Sequence, residues 1–197
     1  MNARCLSVPS MMAHVALHLI RLGLAGAAAL GPQIARATTA TWTGTTNSNW
    51  ATSTNWSGNP AVVPGTGDRA TFSSANNGNT TISLGAGVTI SQLQFSDASA
   101  SYTIGAGGAG VETLTLDNSG EISILNTSTL VDQTVNANVK LGANANTASY
   151  SINSFRDGRT LTIAGNITGG TGGTAGTKTL TLDSSKQTGS LVAAESI

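Results

Sequence analysis

Tyr102-Thr103-Ile104 followed by Leu114-Thr115-Leu116 is echoed by Tyr150-Ser151-Ile152 followed by Leu161-Thr162-Ile163. Each run sets apolar residues two apart, which sends one face of the chain inward and the other outward, the period of a β-strand. The echoes stand 48 and 47 residues apart. Similar runs recur on either side, among them Thr81-Ile82-Ser83-Leu84, Val88–Phe95, Ile122-Ser123-Ile124, Val139-Lys140-Leu141 and Leu180-Thr181-Leu182. Gly, Asn, Ser and Asp separate them, as turns require. Leu93, Leu114, Val139, Leu161 and Leu180 are 21, 25, 22 and 19 residues apart. A strand set returning at that interval predicts an all-β fold, a right-handed parallel β-solenoid whose coils stack to make one narrow core. A β-sandwich, which also uses many short strands, is the alternative.

The first 37 residues have another character. Arg4, His14, His18 and Arg21 give a basic start without acids, and an apolar stretch Leu22–Leu30 follows. It ends in Pro32, with the small residues Ala35 and Ala37 at the positions a signal peptidase reads. The stretch between Arg21 and Pro32 is too short to span lipid, which takes about 20 apolar residues. Cys5 precedes the apolar segment, so a lipid-anchored cysteine is not expected. This predicts a leader over 1–37, handled by the export machinery and cut after Ala37, and a secreted or cell-surface location with no membrane span in the mature chain.

Cutting there changes the chemical inventory. Cys5, His14 and His18 all leave with the leader, as do three of nine basic residues and none of the nine acids, so the net charge falls to −3. Nucleophile systems built on His or Cys, zinc sites built on them, and disulfides are excluded from the mature chain. Thr, Ser, Asn and Gly supply 85 of its 160 residues, a composition suited to strands and tight turns. Six basic residues make no face for nucleic acid. No calcium-loop pattern is present, and the glycine-rich stretches 105–110 and 169–176 lack the Gly-Lys-Ser/Thr end of a phosphate loop. No cofactor or metal site is expected.

The segment 38–72 holds all three tryptophans, Trp42, Trp50 and Trp56, followed by Pro64-Gly65-Thr66-Gly67-Asp68-Arg69-Ala70-Thr71-Phe72. It reads as an irregular cap plus first coil, and 73–197 as the repeat region. The order Trp-x-Gly, Asn-Trp, Asn-Trp-Ser, Pro-Gly-x-Gly-Asp-x-Ala-x-Phe, with Leu93–Phe95, Tyr102–Gly105, Leu114–Gly120 and Leu161–Gly169 after it, resembles the N-terminal part of bacterial proteins with autotransporter-associated β-strand repeats. The resemblance spans 40–191 and implies a passenger-type β-helix; it carries no catalytic residues. Leu180-Thr181-Leu182 opens a coil that Ile197 does not finish, so a truncated repeat region with an uncapped, aggregation-prone edge is expected.

The expected function is a non-catalytic, secreted or surface-displayed structural or adhesin-like module. One alternative is a carbohydrate-binding module, with Trp42, Trp50 and Trp56 stacking on extracellular or cell-surface glycans. Another is a polysaccharide-active β-helix enzyme using paired carboxylates. Candidates are Asp68, Asp97, Glu112, Asp117, Glu121, Asp132, Asp157 and Asp183, with Asp117 and Asp183, each after Leu-Thr-Leu, expected to stack at one corner. Asp after a strand is equally a turn former that bonds its own backbone.

Overall fold

The computed structural model describes residues 37–58, 60–73, 78–125, 131–142, 147–169, 176–184 and 190–193. Of the expected leader only Ala37 lies among them. Residues Ala35–Ile197 form one compact unit. Its strands are β1 (Thr39–Thr41), β2 (Arg69–Phe72), β3 (Thr81–Ile82), β4 (Val88–Phe95), β5 (Thr103–Ile104), β6 (Thr113–Ile124), β7 (Gln133–Val135), β8 (Asn138–Leu141), β9 (Ala148–Ser154), β10 (Thr160–Ile163), β11 (Ile167–Gly169), β12 (Lys178–Asp183) and β13 (Ser190–Ala193). A single 3₁₀ turn, Ser53–Asn55, is the only helical element among the described residues.

All pairings between these strands are parallel. That removes the sandwich, whose sheets are antiparallel. The chain is a parallel β-solenoid of about four turns, with three strand faces per coil. On the first face Ala40, Ala70, Leu93, Ile122, Ile152 and Leu182 are successive register partners. On the second, Ile90, Leu116 and Leu141 align. On the third, Ile82, Ile104, Val135 and Ile163 align. Except for Leu182, these side chains are buried and fill the narrow space between the faces. A single coil could not cover its own apolar residues; the stack does it for all of them.

The coil is longer than the sequence spacing predicts. Thr81, Thr103, Thr134 and Thr162 are register partners on the third face, 22, 31 and 28 residues apart. The echo of Tyr102 in Tyr150 is not a coil repeat. Tyr102 precedes β5 on the third face, whereas Tyr150 lies in β9 on the first. Every face uses the same apolar-Thr-apolar strand, because each has the same job of burying one side and hydrating the other. Like runs therefore mark faces as readily as coils.

β4 and β6 each run across two faces. Their register shifts between Ile90 and Gln92, where Ile90 pairs with Leu116 but Gln92 pairs with Glu121. The extra residues of β6 form a bulged corner around Asp117–Gly120. Gly120 is required there by close approach, since a Cβ would overlap the Ser91 carbonyl oxygen.

Candidate functional site

Trp42 extends β1, its amide donating to the Thr71 carbonyl at 2.8 Å. The chain then loops out and returns so that Trp56 forms an antiparallel bridge with Trp42. The loop is organised by Asn55, a fully buried side chain whose Oδ1 accepts from the amides of Thr46 and Asn47. Its Nδ2 donates to Asn47 Oδ1 and to the Asn49 carbonyl. The ring centroids of Trp42 and Trp56 are 5.0 Å apart, and those of Trp50 and Trp56 are 4.6 Å apart, both edge-to-face. Phe72 touches all three rings and passes the stack on to Phe95 and Tyr102.

The tryptophans are only 1%, 2% and 3% exposed, for Trp42, Trp50 and Trp56 in turn. Each indole N–H is spent on a backbone carbonyl: Trp42 on Asn79 at 3.0 Å, Trp50 on Pro64 at 3.0 Å, and Trp56 on Trp50 at 2.7 Å. The expectation of an exposed stacking platform is therefore corrected. Stacking on a sugar needs an open ring face, and none of these rings offers one. Among the described residues no coil precedes the first, and the rings fill its apolar interior at that end.

Several of the candidate carboxylates are also engaged. Asp68 Oδ1 accepts from the Thr38 amide at 2.7 Å and the Thr38 hydroxyl at 2.5 Å, and Oδ2 accepts from the Gly65 amide at 2.9 Å. Partial burial pushes its pKa up, but these donors outweigh that and hold it below the ordinary 3.8. Glu112 receives the Ser83 hydroxyl at 2.7 Å and the amides of Leu84 at 2.8 Å, Gly85 at 3.1 Å and Ala106 at 2.8 Å. Here too burial raises and the donors lower, with a net fall below 4.5. Glu112 thereby ties the turn after β3 to the turn after β5.

Asp117 differs. Burial at the bulged corner raises its pKa, and the nearby charge of Asp68 adds to the rise against the Gly67 amide it accepts at 3.1 Å. The two carboxylates thus grip the same Gly65–Asp68 turn. Asp183 is not stacked on Asp117. It pairs in register with Asn153, and Asn153 with Ser123, so the expected shared corner is corrected. The two Leu-Thr-Leu runs lie on different faces. Glu121 accepts from Asn153 Nδ2 at 2.8 Å, and Asp132 from the Thr160 amide at 2.8 Å, each bracing the adjoining coil. Asp97 sits in a left-handed turn at φ 55°, and Asp157 in the turn between β9 and β10.

Sequence reading missed two buried carboxamides that shape the fold, Asn55 and Gln133. Gln133 stands inward where Leu161 stands one coil on; its Oε1 accepts from the Tyr102 amide at 2.8 Å, and its Nε2 donates to the Ala100 carbonyl at 3.1 Å. Neither carries a signal that separates it from the many surface Asn and Gln. Of the two residues at the expected leader cut, Ala35 lies outside the described residues; Ala37 is exposed and lines a shallow groove with Thr38, Thr39, Gly67, Asp68 and Arg69. The glycine-rich stretch 105–110 is a turn, with positive φ at Gly105, Gly107, Gly108 and Gly110; most of 169–176 lies outside the described residues. Among the described residues no three His, Cys, Asp or Glu side chains group closely enough to hold a metal ion, and no helix is long and apolar enough to cross a membrane. Compared with known proteins, the chain matches no family model, no curated protein and no solved structure.

Proposed function

We propose that this chain is a non-catalytic structural module of a secreted or surface-displayed β-solenoid. One observation carries the reading: three of the candidate carboxylates and all three tryptophans are spent on holding the fold. Asp68, Glu112 and Asp117 accept backbone amides at turns, and all three indole N–H groups bond carbonyls. What remains outward on the third face is the line Thr81, Thr103, Thr134 and Thr162, a hydrated and chemically quiet surface. The leader-like residues 1–37 support export, and the composition after them supports a spacer or adhesive surface. A weak glycan contact through that polar surface belongs to this reading; a tryptophan platform does not.

The enzymatic alternative rests on Asp117, whose pKa burial raises beside Asp68. A perturbed carboxylate next to a second one is a fair pointer to acid–base work. Both, however, face the turn they hold. Purified residues 38–197 incubated with acidic and neutral polysaccharides should release no new chain ends. Turnover that disappears in Asp117→Asn while the melting temperature holds would overturn the non-catalytic reading.

A further inference from the structure

We propose that removal of the leader is itself a locking step: cleavage of the Ala37–Thr38 bond turns the Thr38 nitrogen into an α-ammonium that pairs with the Asp68 carboxylate and fixes the first strand. The proposal rests on the export reading above and adds a consequence for the fold. In the hydrolysis, water adds across the peptide bond. Ala37 leaves with the new carboxylate, and Thr38 keeps the nitrogen, which takes up a proton at neutral pH.

The receiving site is already built. Thr38 N lies 2.7 Å from Asp68 Oδ1, and the Thr38 hydroxyl lies 2.5 Å from the same oxygen. The other oxygen is held by the Gly65 amide, which fixes the carboxylate plane. Thr38 is also aligned by its carbonyl, which accepts from the Arg69 amide at 2.8 Å. As an amide, the Thr38 nitrogen offers one proton and no charge. As an ammonium it offers three protons and a positive charge, and a hydrogen bond between ions is shorter and stronger than a neutral one. The groove lined by Ala37, Thr38, Gly67 and Asp68 leaves the site open to water, so the added protons can be solvated.

The charged neighbours favour this pairing. Arg69, next in sequence, directs Nε to Gln92 Oε1. Asp117, at the bulged corner of β6, adds a second negative charge near Asp68. A cation at Thr38 relieves that repulsion. β1 is only three residues long and pairs with β2, and Trp42 follows it directly. A clamp at Thr38 therefore anchors the strand from which the aromatic end cap begins.

The test compares three preparations: full-length chain, residues 38–197 with a free Thr38 amine, and the same chain with one glycine added before Thr38. The glycine keeps the terminal charge but moves it one residue from Asp68. Residues Ala35–Ile197 form a compact unit, so the shortened chains suit the comparison. At about pH 6 the Thr38 form should melt roughly 2–4 °C above the glycine-extended form. An α-amine gaining a carboxylate partner has its pKa raised above its free value of about 7.7–8.0. Its contribution is fully present below that value and is lost as pH rises through the raised one. The gap should close there and should be absent in Asp68→Asn, which keeps an oxygen for Gly65 but no charge. Equal melting of the two forms, or a gap that survives Asp68→Asn, overturns the proposal. N-terminal sequencing of the chain exported from a bacterial host separates the two ideas. A start other than Thr38 sinks the cleavage reading and the clamp together; a Thr38 start with equal melting sinks the clamp alone.

Discussion

The Trp50 ring is 2% exposed, and its N–H is 3.0 Å from the Pro64 carbonyl oxygen. Two separate forces hold it, burial of a large ring and satisfaction of a buried acceptor. They can be measured apart. Trp50→Phe keeps most of the aromatic area but strands the carbonyl, and should lower unfolding free energy by about 1–3 kcal/mol. Trp50→Ala empties the site and should cost about 3–5 kcal/mol. Urea unfolding followed by far-ultraviolet circular dichroism reads both. A phenylalanine variant as weak as the alanine one would mean that the hydrogen bond, and not the ring, dominates. In sequence, an Asn-Trp pair in a Thr-rich segment serves equally as a cap or as a sugar platform. The choice depends on whether the loop folds back, and that is decided by Asn55, which looks like any other turn asparagine.

Elements are held to one another by polar side chains at their ends as much as by the core. Glu112 is the clearest case, because its carboxylate gathers donors from the turns after β3 and β5. Its depressed pKa sets the sign of the pH dependence. The carboxylate contributes stability that is fully present above the ordinary value of 4.5, and the contribution is lost as pH falls through the lower native value. Asp68 adds in the same direction below 3.8. Asp117 opposes them, since a raised acid costs stability when ionised and is relieved on protonation. Acid melting curves of Glu112→Gln should therefore start from a lower plateau and show a shallower fall below about pH 4.5 than the parent. An unchanged slope would place the acid sensitivity elsewhere. The corner glycine makes a second test at this scale. Gly120→Ala pushes a methyl group into the Ser91 carbonyl, so it should destabilise by more than about 1 kcal/mol, although alanine is normally welcome in place of glycine. The strands themselves were legible: runs such as Thr81–Leu84 and Leu161–Ile163 contain β3 and match most of β10. Their assignment to faces was not. Register is set by where the bulge at Asp117–Gly120 and the loops turn the chain, and their lengths vary from coil to coil.

For the whole molecule, the column of the first face ends, among the described residues, on an exposed apolar side chain. Ala40, Ala70, Leu93, Ile122 and Ile152 are buried, while their partner Leu182 is 50% exposed. β12 pairs with β9 on one side, and no described strand covers its other side. An open parallel edge presents unpaired amides and carbonyls as well as this apolar side chain, and such an edge recruits further strands. The expected behaviour is concentration-dependent self-association of residues 38–197, visible in sedimentation velocity. Leu182→Lys places a charge where another chain would have to desolvate it. It removes little buried area from the monomer, so the melting temperature should hold while the larger species disappear. Charge alone is controlled by Thr103→Lys, outward on β5 between β3 and β7, which should leave association unchanged. A parent chain that stays monomeric to millimolar concentration would show that the edge is already protected, and a Leu182→Lys chain that still associates would move the contact to another surface.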